Sequence, residues 1–131
     1  MNMKEKPLPE LSRSEYEILR VLWKRGLSSV REVHEHLHVV QGWAYTTTKT
    51  MMDRMVQKKL LQRDNFHGIF LYQPRISRPQ GLAHLIEFFA DRVLELDAAT
   101  VLSLFKDSKA ITPEEIKELE KMLHKNRGGE Q

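Results

Sequence analysis

Between Trp43 and Leu61 the chain reads Trp-Ala-Tyr-Thr-Thr-Thr-Lys-Thr-Met-Met-Asp-Arg-Met-Val-Gln-Lys-Lys-Leu-Leu. At about 100° per residue this run divides into two faces. Thr48, Met51, Met52, Met55 and Val56 fall on one side, and Thr46, Lys49, Thr50, Asp53, Arg54 and Gln57 on the other. The second face begins with short hydroxyls and one lysine and carries no acid before Asp53, so it can approach a polyanion closely. Threonine hydroxyls hydrogen-bond phosphates or base edges and their methyls suit thymine, while Lys and Arg pair with guanine or phosphate. This is the surface required of a helix entering the major groove of DNA; a merely solvated amphipathic helix also tolerates it. The residues assigned to contact are Thr46, Thr47, Lys49, Thr50 and Arg54, with Trp43 and Tyr45 at the helix start and Arg63 and His67 from the segment that follows. The long stem of Arg54 suits a phosphate, leaving base edges to the threonines and Lys49.

The rest of the composition restricts the alternatives. With 131 residues, 40% of them hydrophobic, the chain has the size of one domain or two small units. No apolar run approaches the roughly 18 residues that span a bilayer, and prolines rather than an apolar signal core follow the N-terminal lysines, so the expected location is cytoplasmic, without membrane insertion. The absence of cysteine removes disulfides, thiolate metal sites and cysteine nucleophiles together. Residues 1–81 hold 14 Lys and Arg against 8 Asp and Glu, whereas residues 82–131 hold 7 against 10. The first part suits an anion and the second does not. No Gly-rich phosphate loop, Ser/His/Asp set or metal motif marks an enzyme, and no cofactor is expected.

The elements that must position the contact face can be read in order. Residues 1–10 read as a flexible arm. Ser12 with Glu15 forms a capping box, Leu11 with Tyr16 the accompanying staple, and a first helix runs from Arg13 to Arg25 with Tyr16, Leu19, Leu22 and Trp23 inward. Ser29 with Glu32 repeats the device for a second helix of about two and a half turns through Val30, Val33 and Leu37. Val39 to Gly42 is the expected turn, and the third helix covers Tyr45 to Lys59. From Leu61 to Pro74 the period becomes extended: Asn65 to Gly68 supplies a turn and Ile69 to Tyr72 a second strand. Three helices followed by a hairpin make a winged helix-turn-helix domain over residues 11–77. Ile76 to Gly81 reads as a linker. Leu82, Leu85, Ile86, Phe89, Val93 and Leu96 then recur at three and four residues as a helix of about five turns. Asp97 caps a short helix with Val101, Leu102, Leu104 and Phe105, and Thr112-Pro113-Glu114-Glu115 opens a last helix with Ile116, Leu119 and Leu123 inward. Three short helices over residues 78–126 are marginal alone, and pairing with a second copy is the usual remedy. The dimerising residues expected are Leu85, Phe89, Val93, Val101, Leu104, Phe105, Leu119 and Leu123, with a disordered tail over residues 127–131. The fold class is thus mainly α with a small β-hairpin, a winged helix-turn-helix followed by a three-helix dimerisation region.

The run Trp43-Ala-Tyr-Thr-Thr, continued by Lys49-Thr, Asp53-Arg-Met and Lys58 with Leu60 and Leu61, resembles the recognition helix of the penicillinase and methicillin-resistance repressors and the related copper-transport-operon repressors. Leu11-Ser and Ser14-Glu-Tyr-Glu-Ile-Leu, ending in Val21-Leu-Trp23, is similar to the first helix of the same family. The resemblance extends from about Leu11 to Lys125. It implies a homodimeric bacterial repressor connected with antibiotic resistance, an N-terminal winged helix on double-stranded DNA at a palindromic operator, and a C-terminal helical dimerisation region. It also implies release by a membrane-linked inducing protease, which in the penicillinase branch cuts an Asn–Phe bond; the corresponding bond here is Ser103–Leu104. Copper sensing through a Cys-x-Cys cluster is excluded by the lack of cysteine. A wing-tip arginine common in the family is replaced by His67-Gly68, and Ala44 stands where a Ser cap would open the recognition helix, leaving Thr46 or water to satisfy its amides.

Other readings compete. His34 and His38 share a face at a spacing that can hold a metal, but two histidines are not a site; without a third ligand nearby in sequence, solvent-exposed helix decoration is the favoured reading and phosphate contact a third option. Phe88 and Phe89 could line an effector pocket of a ligand-responsive regulator, or divide between core and interface. A basic winged helix could also dock an acidic protein as an adaptor; sequence-dependent, salt-sensitive binding to duplex DNA separates the two.

Overall fold

The computed structural model describes residues 11–128, with side chains to Leu123. The arm expected over residues 1–10 and the tail beyond Gly128 lie outside the described residues. Two compact units divide at Arg78 and Pro79.

In the first unit, α1 covers Arg13–Arg25, α2 Val30–Gln41 and α3 Tyr45–Gln57. Both expected capping boxes are present. Ser12 Oγ accepts from the Glu15 amide at 3.1 Å while Glu15 Oε1 accepts from the Ser12 amide at 3.0 Å. At α2 the Ser29 and Glu32 bonds are 3.2 and 2.9 Å. Each cap residue is worth about 1 kcal/mol. α2 is longer than expected: Val39 and Val40 continue the helix and only Gly42 turns, in the left-handed region at φ 71°, donating its amide to His38 O. The strand β1 (Leu61–Phe66) pairs antiparallel with β2 (Ile69–Pro74), from Leu61 opposite Pro74 to Phe66 opposite Ile69. The two-residue loop His67-Gly68 has positive φ at both positions, the turn whose twist matches a hairpin. Asn65 Oδ1 ties it by accepting the Gly68 amide at 2.9 Å.

The core of this unit is Ile18, Leu19, Leu22, Val30, Val33, Leu37, Met52, Met55, Leu60, Leu61 and Tyr72. Leu19 and Leu22 face inward on α1 as expected and Ile18 joins them, whereas Tyr16 and Trp23 are only partly buried. Those aromatics pack edge to face at the margin, 5.9 Å apart, where the Trp23 indole N–H reaches the Ile76 carbonyl at 2.9 Å. A ring with a polar edge gains more there than in the interior. Ser28 exchanges two backbone hydrogen bonds with Tyr72, at 3.1 and 2.8 Å, and so attaches the α1–α2 connection to the hairpin.

The second unit contains α4 (Arg78–Phe89), α5 (Ala98–Ser103) and α6 (Pro113–Gly128). The expected linker is shorter than Ile76 to Gly81, because Arg78 to Gly81 already form the first turn of α4. The expected five-turn helix is also broken: Ala90–Leu94 form a π-helical turn closed at Glu95, φ 54°. Ala83, Ile86 and Ala90 face inward up to the wider turn, which shifts the helical phase beyond it, and Val93 and Leu96 are exposed. Asp97 caps α5 by accepting the Thr100 amide at 2.7 Å, and Thr112 with Glu115 caps α6 through reciprocal 3.1 Å bonds. Ile111, Ile116, Leu119 and Leu123 close the core with Val101 and Leu102. α6 continues through Gly128, so Arg127 and Gly128, assigned to the tail, are helical.

Candidate nucleic-acid interface

The exposed side of α3 follows from what its other side buries. Thr48, Met52 and Met55 are fully buried, which turns Thr46, Thr47, Thr50 and Arg54 outward, lining one shallow groove with Met51. Thr48 is held by a 2.9 Å hydrogen bond shared with His34 Nδ1, which links α2 to α3. Ala44 provides no side-chain cap, and Thr46 does not replace one; the Thr47 and Thr48 amides instead donate to the Ala44 carbonyl at 3.0 and 3.2 Å.

Lys49 and Arg63 converge on one carboxylate. Asp53 Oδ2 accepts from Lys49 Nζ at 2.9 Å, and Asp53 Oδ1 accepts from the Arg63 guanidinium at 3.3 Å and the Tyr72 hydroxyl at 3.1 Å. Burial alone would raise the Asp53 pKa, but the bonds from Lys49 and Tyr72 and the charges of Lys49 and Arg63 hold it below its ordinary value. The bond to Asp53 in turn raises Lys49, and Tyr72 is raised by burial and by the neighbouring Asp53 charge. Arg63 also lies over the Phe70 ring, 4.5 Å from its centroid. At the wing tip His67 is exposed and packs edge to face against Phe66.

The remaining assigned residues are placed as follows. Trp43 is half-buried against the first core, so its indole packs where it was expected to stand clear. Tyr45 is exposed between two neighbours, His34 edge-on at 5.5 Å and the Arg31 guanidinium 5.7 Å above its ring. Arg31 thereby joins the surface at the start of α3. Its isolated position in α2 carried no signal in the sequence. His34 and His38 stack at 5.1 Å, and His36 bonds Arg25 at 2.9 Å. Among the described residues no group of three potential ligands could hold a metal.

In the second unit the residues assigned to dimerisation separate into two sets. Val101, Leu119 and Leu123 are consumed by the chain's own core, because α5 and α6 pack on each other. Phe89, Val93, Leu104 and Phe105 are exposed, Leu104 by 68%, and Leu85 is half-buried. Phe88 and Phe89 are both exposed, and the groove of this unit is lined instead by Ala99, Leu102, Ser103, Lys106 and Leu123, with neighbouring charged residues of α6. Ser103 is exposed, its hydroxyl donating to Thr100 O at 2.6 Å.

The comparisons agree with this architecture. The chain is 28% identical over 124 residues to the penicillinase repressor of Bacillus licheniformis, covering 93% of this chain and 97% of that one. It is 22% identical over 116 residues to the methicillin resistance regulatory protein MecI of Staphylococcus aureus, covering 88% and 94%. Among solved structures, the DNA-binding domain of the repressor BlaI covers 57% of this chain and 92% of its own, with TM-score 0.50 and 29% identity. The monomeric form of Bacillus licheniformis BlaI in complex with the blaP half-operator matches with TM-score 0.51 and 28% identity, covering 56% and 90%. The fold of the first unit is accordingly a winged helix. The family described as penicillinase repressor matches residues 11–125, and the chain belongs to that family of DNA-binding transcriptional repressors.

Proposed function

We propose that the chain represses transcription in the cytoplasm by binding, as a homodimer, a palindromic operator whose two half-sites are each read by α3. The observation that carries this reading is the outward face of Thr46, Thr47, Thr50 and Arg54 on a helix whose opposite side is buried. That face is polar and free of acid through its first two turns, and the basic balance of residues 1–81 supplies the attraction to phosphate. The likeness to BlaI solved in complex with the blaP half-operator supports DNA binding by this domain. Residues 11–77 would carry DNA binding and residues 78–126 dimerisation. Phe88, Phe89, Val93, Leu94, Leu96, Leu104 and Phe105 are all exposed, apolar side chains that pairing with a second copy would cover.

Release would follow separation of the halves. A dimer holds its second half-site at an effective concentration that reaches the millimolar range for a short link, so losing the pairing lowers affinity with every DNA contact intact. The exposed bond Ser103–Leu104, at the end of the six-residue α5, is the proposed point of cleavage by a membrane-linked inducing protease.

The test is selection of duplexes from a random pool with the full-length chain, followed by titration at increasing salt. Recovery of an inverted repeat, with affinity falling steeply as salt rises, is the expected result. Enrichment of no sequence would reject the reading.

A further inference from the structure

We propose that Asp53 is the positioning residue of the DNA-facing surface: its carboxylate sets Lys49 on α3 and Arg63 on β1 in a fixed relation and withholds both cations from non-operator DNA. The proposal rests on α3 being the DNA-reading helix and adds how that helix keeps its selectivity.

Three donors from three elements meet on this one side chain: Lys49 from the preceding turn of α3, Arg63 from β1 and Tyr72 from β2. Arg63 and Tyr72 are directly opposite in the hairpin register, so both reach the same carboxylate oxygen from neighbouring strands. The Tyr72 ring is buried in the first core and its backbone is clamped by Ser28, which makes it a rigid reference for Asp53. Lys49 and Arg63 remain about half exposed, so a phosphate can reach either one.

A carboxylate in this position does two things. It fixes two flexible cations before DNA arrives, lowering the conformational entropy lost when they engage. It also cancels part of their charge, so a phosphate must displace Asp53 before it gains a full cation. Random DNA offers phosphates alone, whereas an operator adds base contacts along Thr46, Thr47 and Thr50 that offset the exchange. Selectivity therefore rises because the non-specific attraction is restrained.

The test compares Asp53→Asn, Asp53→Glu and Tyr72→Phe in the full-length chain, using the duplex recovered by selection and a scrambled duplex of equal length. Asp53→Asn should bind scrambled DNA more tightly and steepen its salt slope by about one, as a cation is freed for phosphate. The ratio of selected to scrambled affinity should fall about tenfold, the scale of one charge-assisted contact. Asp53→Glu keeps the charge but displaces both cations, so its ratio should fall with the slope unchanged, a readout that stands even if the Asn variant does not fold. Tyr72→Phe removes one hydrogen bond that positions Asp53 but keeps the carboxylate charge beside both cations, so its ratio should fall less than that of Asp53→Asn, with the slope unchanged. Wild-type ratios in both Asp53 variants, or a Tyr72→Phe effect on ratio and slope as large as that of Asp53→Asn, would overturn the proposal. A wild-type chain with no preference for any duplex would instead overturn the assignment of α3, and the Asp53 proposal with it.

Discussion

Thr50 and Arg54 share the exposed side of α3 yet should fail in different ways when truncated. Thr50→Ala should relax discrimination at one base position by about 1–3 kcal/mol, while Arg54→Ala should weaken all sequences alike and reduce the salt slope by about one. Titration of selected and scrambled duplexes against both variants separates these outcomes. Glu15 makes a second residue-scale point. It is buried, closes the capping box of α1 and accepts an ion pair from Lys58 at the end of α3. Burial pushes its pKa up, but the Lys58 hydrogen bond and charge and the Ser12 bonds outweigh this and leave it depressed. A depressed carboxylate stabilises the fold at neutral pH, and that contribution is lost as pH falls through the lowered folded value, beneath the ordinary carboxylate range. The urea midpoints of wild type and Glu15→Gln should therefore differ at pH 7 and converge as pH falls below the ordinary carboxylate range. The capping role of Glu15 was readable from its three-residue spacing to Ser12; its partner Lys58, 43 residues away, was not.

Among the elements, the end of α3 is held at some cost. Lys59 sits in the left-handed region at φ 66°, its amide bonded to Val56 O and that of Leu60 to Met55 O, with Leu60 and Met55 both buried. This is a Schellman ending with a side chain where glycine is favoured. Lys59→Gly should raise stability by about 1 kcal/mol, read as a higher urea midpoint with an unchanged slope. A loss of stability would show that the Lys59 side chain contributes more than its backbone strain costs. The capped helix starts were legible, because Ser12, Ser29, Asp97 and Thr112 each act within three or four residues; that of α4 was not, since it opens at Arg78 inside the expected linker. Helix interiors were less so: the π-helical turn at Ala90–Leu94 interrupts an apolar repeat that looks continuous from Leu82 to Leu96.

At the scale of the molecule, the two classes of apolar residue in the second unit should respond oppositely. Leu104→Asp should leave the unit folded and yield a monomer by ultracentrifugation, because Leu104 is exposed. Leu119→Asp should unfold it, because Leu119 is fully buried in the chain's own core. A dimeric Leu104→Asp chain would move the proposed interface elsewhere. Inducing cells that carry the gene and mapping fragments by mass spectrometry should find a new end at Ser103 or Leu104; an intact chain with derepressed target genes would reject proteolytic release. The sequence by itself determined the mainly α class, the hairpin, the capped helix starts and the outward side of α3, since caps, turns and periodicity act between residues close in the chain. Only the tertiary structure decided that Val101, Leu119 and Leu123 fill a core, that Trp43 packs, that Arg31 joins the surface, and that Lys49, Arg63 and Tyr72 meet at Asp53. Apart from the i,i+4 pair of Lys49 with Asp53, those outcomes depend on which faces meet between residues distant in the chain, and packing, unlike periodicity, leaves no mark at the positions it joins.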